Sequence, residues 1–113
     1  MIEKRFSTIS ISENTPMLKV EFTDKKYEVL STLFFADGST ICSLVIEKFE
    51  EIKNGKIPSW VATGNVCSID MTSENTSVYD IFDDDNHCTL CTDDFIELIY
   101  EWNKEVAKFN EIL

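Results

Sequence analysis

The sequence predicts an α+β fold: an antiparallel sheet of about five strands packed by two helices, in the order β-β-β-α-β-β-(β)-α. Three observations lead there. Residues 17–23 alternate cleanly, with Leu18, Val20 and Phe22 against Lys19, Glu21 and Thr23. Two stretches, 40–54 and 92–113, instead place apolar residues at helical spacing. Short runs rich in Asn, Asp, Gly and Pro divide the remainder into strand-length segments.

Taken in order, residues 5–12 alternate weakly, with Ile9 and Ile11 on one side, and read as a strand, at an edge or the first of a meander. Residues 13–16 (Glu-Asn-Thr-Pro) make a turn, and the strand 17–23 follows. After a turn at 24–26, residues 27–36 read as a longer strand. Tyr27, Val29, Leu33 and Phe35 lie on one face and Leu30 and Phe34 on the other, a pattern expected of a strand covered on both sides. Asp37-Gly38 is its expected end. Ser39 or Thr40 then caps a helix over 40–54, marked by Ile41, Leu44, Val45, Phe49 and Ile52, with Gly55 as its stop.

Residues 56–64 read as a loop in which Trp60 packs over the helix. Residues 65–72 form a strand with Cys67, Ile69 and Met71 on one face, paired in a hairpin with 76–82. The Asp83-Asp84-Asp85-Asn86 run is expected to break that strand, since Asp and Asn favour turns. Residues 87–91 offer a short further strand. Thr92 caps the last helix, with Asp93 and Asp94 in the first turn, where the helix dipole favours negative charge. Phe95, Ile99, Trp102, Val106, Phe109 and Leu113 step by four or three along it, and Glu97, Glu101 and Glu105 mark the other face.

The 113 residues are expected to form a single domain, 1–113, and 43% hydrophobic content with 12% aromatics places the chain among globular proteins. The start has no apolar core of a secretory signal, and no run approaches the roughly 18 apolar residues that span a bilayer. A cytoplasmic location and reduced cysteines are therefore expected for Cys42, Cys67, Cys88 and Cys91.

Charge is the strongest asymmetry. The net charge is −11, yet residues 1–56 carry 8 basic and 9 acidic side chains while residues 57–113 carry 2 and 12. Between Lys56 and Lys104 there is no Lys or Arg, and ten Asp or Glu. Such a half repels nucleic acid and anionic membranes and attracts basic proteins or cations. At its centre, residues 79–94 (YDIFDDDNHCTLCTDD) hold six acids, the only histidine and two cysteines.

Each chemistry this stretch suggests can be tested against its template. Asp83, Asp85, His87 and Asp94 fall at positions 1, 3, 5 and 12 of a calcium loop, but Cys88 stands where the turn needs Gly and no helix precedes. His87, Cys88 and Cys91, with Cys67, supply the residue types of a zinc or redox site, although a strand would send Cys88 and Cys91 to opposite faces. No Gly-rich phosphate loop and no nucleophile–base–orienter set are present, so neither a metal, a cofactor nor an enzyme activity is expected.

A binding surface for a basic protein fits best. Asp80, Asp83, Asp84, Asp85, Asp93, Asp94 and Glu97, bordered by Tyr79 and Tyr100, are the expected contact residues, forming one surface across strand end, turn and helix start. In size, acidity, element order and the ending TDDFIELIYEWNKEVAKF, the chain resembles bacterial toxin-immunity proteins. These are the small partners of contact-dependent growth inhibition and other polymorphic toxins. The resemblance implies a non-enzymatic inhibitor that binds its cognate toxin C-terminal domain, often a nuclease, in the cytoplasm. A Cys/His metal-binding or redox-sensing domain and a phage-type inhibitor mimicking nucleic-acid charge are the alternatives.

Overall fold

The computed structural model describes residues 2–112, with the side chains of Ile11 and Ile112 outside the described set; Leu113, the last step of the expected helical stripe, also lies outside it. The fold is α+β, as expected. It runs β1 (Lys4–Ser12), β2 (Thr15–Phe22), a 3-10 turn (Lys25–Tyr27), α1 (Glu28–Lys53), β3 (Trp60–Thr63), β4 (Cys67–Met71), β5 (Asn75–Asp80), β6 (Asp83–Cys91) and α2 (Thr92–Ile112). The strands form two antiparallel sheets, the hairpin β1-β2 and the meander β3-β4-β5-β6.

The main departure from expectation is α1. Residues 27–36 are not a strand: Tyr27 ends the 3-10 turn, and 28–36 are the first third of one 26-residue helix that continues through Asp37-Gly38. Val29, Leu30, Leu33, Phe34, Ile41 and Val45 are buried, and their spacing by one, three, four and seven is also a helical stripe. Two neighbours override the apparent break. Gly38 brings the helix against Trp102 of α2: a Cβ there would lie 3.0 Å from the indole Nε1. Asp37 is 1% exposed and finds its partners on the β3-β4 connection. Leu44, expected in the core, is instead exposed.

The stop at Gly55 is as expected. Its φ of 75° is the left-handed conformation, Gly55 N–H donates to the Ile52 carbonyl at 3.1 Å, and Lys56 N–H donates to Glu51 at 2.9 Å. This pair of bonds is a Schellman cap, which satisfies carbonyls that the helix end would leave free.

The segment Lys25–Lys53 is also long and apolar enough by composition to cross a membrane, with a mean hydropathy of 1.7 over 18 residues. This overturns the expectation that no run approaches that length, because the helix runs unbroken through Asp37-Gly38. Most apolar side chains of α1, Leu44 excepted, face the core and pack on β2, β4, β5, β6 and α2. The Ser31 hydroxyl also donates to the Val20 carbonyl, fixing α1 against β2.

In the meander, two rows of side chains face the helices. Trp60, Met71, Thr76 and Leu90 stand in register, as do Ala62, Ile69, Val78 and Cys88. Trp60 belongs to a strand rather than a loop, yet it packs against the core as expected. Phe95, Ile99 and Trp102 of α2 are buried, and Trp102 stacks on Phe34 with ring centroids 5.1 Å apart. Lys4 of β1, its side chain 7% exposed, pairs with Glu101 and ties the hairpin to α2.

Candidate partner-binding surface

The acidic run is not a break. Asp83, Asp84 and Asp85 open strand β6, and the reversal is made one step earlier by Ile81 and Phe82. Asp80 opposes Asp83 in the register, where the β5-β6 pairing shifts. Asp80 Oδ1 accepts the Phe82 N–H at 2.9 Å, and Asp83 Oδ1 accepts the Asp85 N–H at 3.1 Å. Both carboxylates therefore serve the turn that a sequence reading assigned to the whole run. β6 is an outer strand, and charged residues on an outer strand discourage edge-to-edge pairing with other chains.

The expected contact residues do not form one cluster. Asp80, Asp83, Asp84 and Asp85 lie at the start of β6, whereas Asp93, Asp94 and Glu97 follow its end. Nine strand residues at about 3.3 Å each put roughly 25 Å between the two groups. That is about three Debye lengths at physiological salt, so each cluster is largely screened from the other. Tyr79 sits beside the first group and is 44% exposed; Tyr100 follows the second on α2 and is 55% exposed.

The first cluster also has cationic neighbours that lie far away in sequence. Lys25 and Lys26 of the 3-10 turn, with Glu28, line one shallow depression together with Asp83, Asp85, Asn86 and His87. The gap in basic residues between Lys56 and Lys104 thus overstates the bareness of this corner. Only the fold brings Lys25 and Lys26 to it.

Between the two acidic groups lies the outer face of the meander. Val61, Asp70, Ser77 and Thr89 stand in register across all four strands, and Thr63, Ser68, Tyr79 and His87 form a second row. These positions alternate with the buried rows, so they point away from the helices. The Tyr79 and His87 rings lie against each other with centroids 6.2 Å apart. The hydroxyls pair across strands, Ser77 with Thr89 at 2.7 Å and Thr63 with Ser68 at 3.2 Å. A sequence reading centred on acids passed over this face, although the alternation in 67–71 signalled it.

The cysteine and histidine residues are divided by the sheet. His87 and Cys91 are exposed, whereas Cys67 and Cys88 lie on the buried side. Burial pushes the Cys42 and Cys67 thiols up to about 12 and the Cys88 thiol up to about 11, opposing thiolate formation. No group of three metal-ligating side chains converges among the described residues. The Cys/His metal or redox alternative therefore loses its geometry: a strand turns its alternate ligands away from one another.

No family model matches the chain, and no solved structure matches it. A protein of Bacillus cereus named "Immunity protein" is 22% identical over 90 residues, which cover 77% of this chain and 77% of that protein.

Proposed function

We propose that this chain is an immunity protein that binds and neutralises a cognate toxin domain, without catalysis of its own. The observation that carries the reading is the likeness to the Bacillus cereus immunity protein along most of both chains. The charge distribution adds the kind of partner. Strands β3 to β6 contain no Lys or Arg, so the toxin domain is basic, and a nuclease, which needs Lys and Arg to hold its substrate, is the class that fits. Asp80, Asp83, Asp84 and Asp85 at one end and Asp93, Asp94 and Glu97 at the other supply the attraction, and neutralisation takes place in the cytoplasm. Charged groups at the margin of an interface chiefly accelerate association and reject wrong partners.

Co-expression tests this directly. The C-terminal domain of a candidate cognate toxin is expressed with and without this chain, and growth is followed. The expected result is growth arrest by the domain alone, rescue by co-expression, and a complex that co-elutes in gel filtration. A domain whose toxicity is unchanged by co-expression overturns the reading.

A further inference from the structure

We infer that the outer face of the four-stranded sheet, centred on Tyr79, is the docking surface, and that its occupant is a basic protein surface that lays an Arg or Lys side chain on the Tyr79 ring. The inference rests on the immunity reading and names where that contact is made.

Four observations favour this face. First, both helices contact the opposite side of the meander through its buried rows, while the rows carrying Val61, Asp70, Ser77, Tyr79, His87 and Thr89 alternate with them. Second, the face is built before a partner arrives. Tyr79 rests against His87, and the Ser77 and Thr89 hydroxyls bond each other, so little side-chain freedom remains to be lost on binding. Third, the charge is complementary to a cationic partner. Asp70 projects from the middle of the face, between Val61 and Ser77 in the register, and the four strands supply no positive charge to compete for it. Asp70 stands diagonally across from Tyr79, one same-face residue pair along the β4-β5 ladder, a spacing that a guanidinium can bridge by stacking on the half-exposed ring and bonding the acid. Fourth, the two acidic clusters stand roughly 25 Å apart at the ends of β6, so they flank this face along one margin without occupying it.

This arrangement separates the roles. The turn acids already accept local N–H bonds and lie near Lys25 and Lys26, so they steer; the aromatic and Asp70 at the centre anchor.

The test measures binding of the toxin domain that this chain neutralises in co-expression, by calorimetry and stopped-flow mixing, at low and high salt, for Tyr79→Ala, Asp70→Lys and Thr89→Arg. Glu47→Lys, on the exposed side of α1, is the control with the same charge change as Asp70→Lys. Circular dichroism melts check that each variant is folded; Thr89→Arg reports on the same face should Tyr79→Ala unfold. The expected result is a loss of about tenfold or more for Tyr79→Ala and Thr89→Arg, as for a central interface residue. For Asp70→Lys, faster dissociation and a loss of affinity of similar size are expected, with the control near wild type. Folded face variants that bind like wild type overturn the docking surface while the immunity reading stands. A wild-type chain that neither binds nor protects overturns both.

Discussion

Asp37 and Gly64 are in contact across the fold: a Cβ placed on residue 64 would lie 2.7 Å from Asp37 Cγ and 2.8 and 2.9 Å from its oxygens. The approach has a purpose. The Asp37 carboxylate accepts the backbone N–H groups of Asn65 at 2.8 Å, Val66 at 3.1 Å and Cys67 at 3.0 Å. One buried side chain of α1 thus fastens the entry to β4, and with it the register of the sheet.

Asp37→Asn should cost about 2–4 kcal/mol, because an amide offers one acceptor and turns an NH2 towards the remaining donors. Gly64→Ala should cost about 1–3 kcal/mol through the forced displacement of the carboxylate. Urea unfolding measures both, and the double variant should lose less than the sum. Two single variants within about 0.5 kcal/mol of wild type would show that the fastening is not needed.

Gly38 against Trp102 makes a second prediction. Alanine gains about 1 kcal/mol of helix propensity over glycine, but its Cβ would sit tightly against the indole. The two terms nearly offset, so Gly38→Ala should stay within about 1 kcal/mol of wild type. Gly38→Val has no such balance and should lose about 2 kcal/mol or more. In a Trp60→Phe background, the emission of Trp102 should shift to the red in Gly38→Val only.

The buried hydroxyls of Thr76 and Thr92 predict an asymmetry. Thr92 Oγ1 donates to the Thr72 carbonyl at 2.8 Å, and the Thr76–Thr92 hydroxyl pair is 2.8 Å apart. A hydroxyl has one proton, so Thr76 must be the donor to Thr92. Thr92→Val strands both the Thr76 hydroxyl and the Thr72 carbonyl and should cost about 1–3 kcal/mol. Thr76→Val leaves the Thr92 bond intact and should cost clearly less. Equal losses in thermal melts would contradict this proton assignment.

The thiols predict both a count and a pH dependence. Cys91 is exposed and the other three are buried, so a thiol reagent should modify one group in the folded chain and four in denaturant. Burial raises Cys42 and Cys67 to about 12 and Cys88 to about 11, from 9.0. The unfolded chain therefore releases these protons first. Their contribution is fully present below pH 9 and declines as pH rises towards 12. Chemical denaturation between pH 8 and pH 11 should show this decline, and Cys42→Ala should make it shallower.

Some features were legible because their causes are local. Gly55 stops α1 since only the positive φ of that position closes the helix end, and Thr92 begins α2 as read. Thr92 does so in a role the sequence did not display, because its hydroxyl bonds Thr72 and Thr76 rather than remaining a surface cap. Alternation located the buried side of β4 correctly. The misreadings share one origin. Asp37-Gly38 and the run 83–86 have the composition of breaks, but composition counts only local costs. Partners more than 25 residues away satisfy Asp37, and a tight turn at 81–82 leaves Asp83 to Asp85 in a strand.

By itself, the sequence determined the class of fold, the amphipathic last helix, the terminus of the first, and a half of the chain with almost no positive charge. These follow from periodicity, backbone preference and net charge, none of which needs long-range contact. The tertiary structure alone decided that 28–53 is one helix, that the acids form two groups at opposite ends of β6, and that Lys25 and Lys26 sit beside one of them. It also decided that Tyr79 and His87 meet on an open sheet face. Each of these depends on which strand pairs with which and in what register, and register is set by packing between residues distant in the chain.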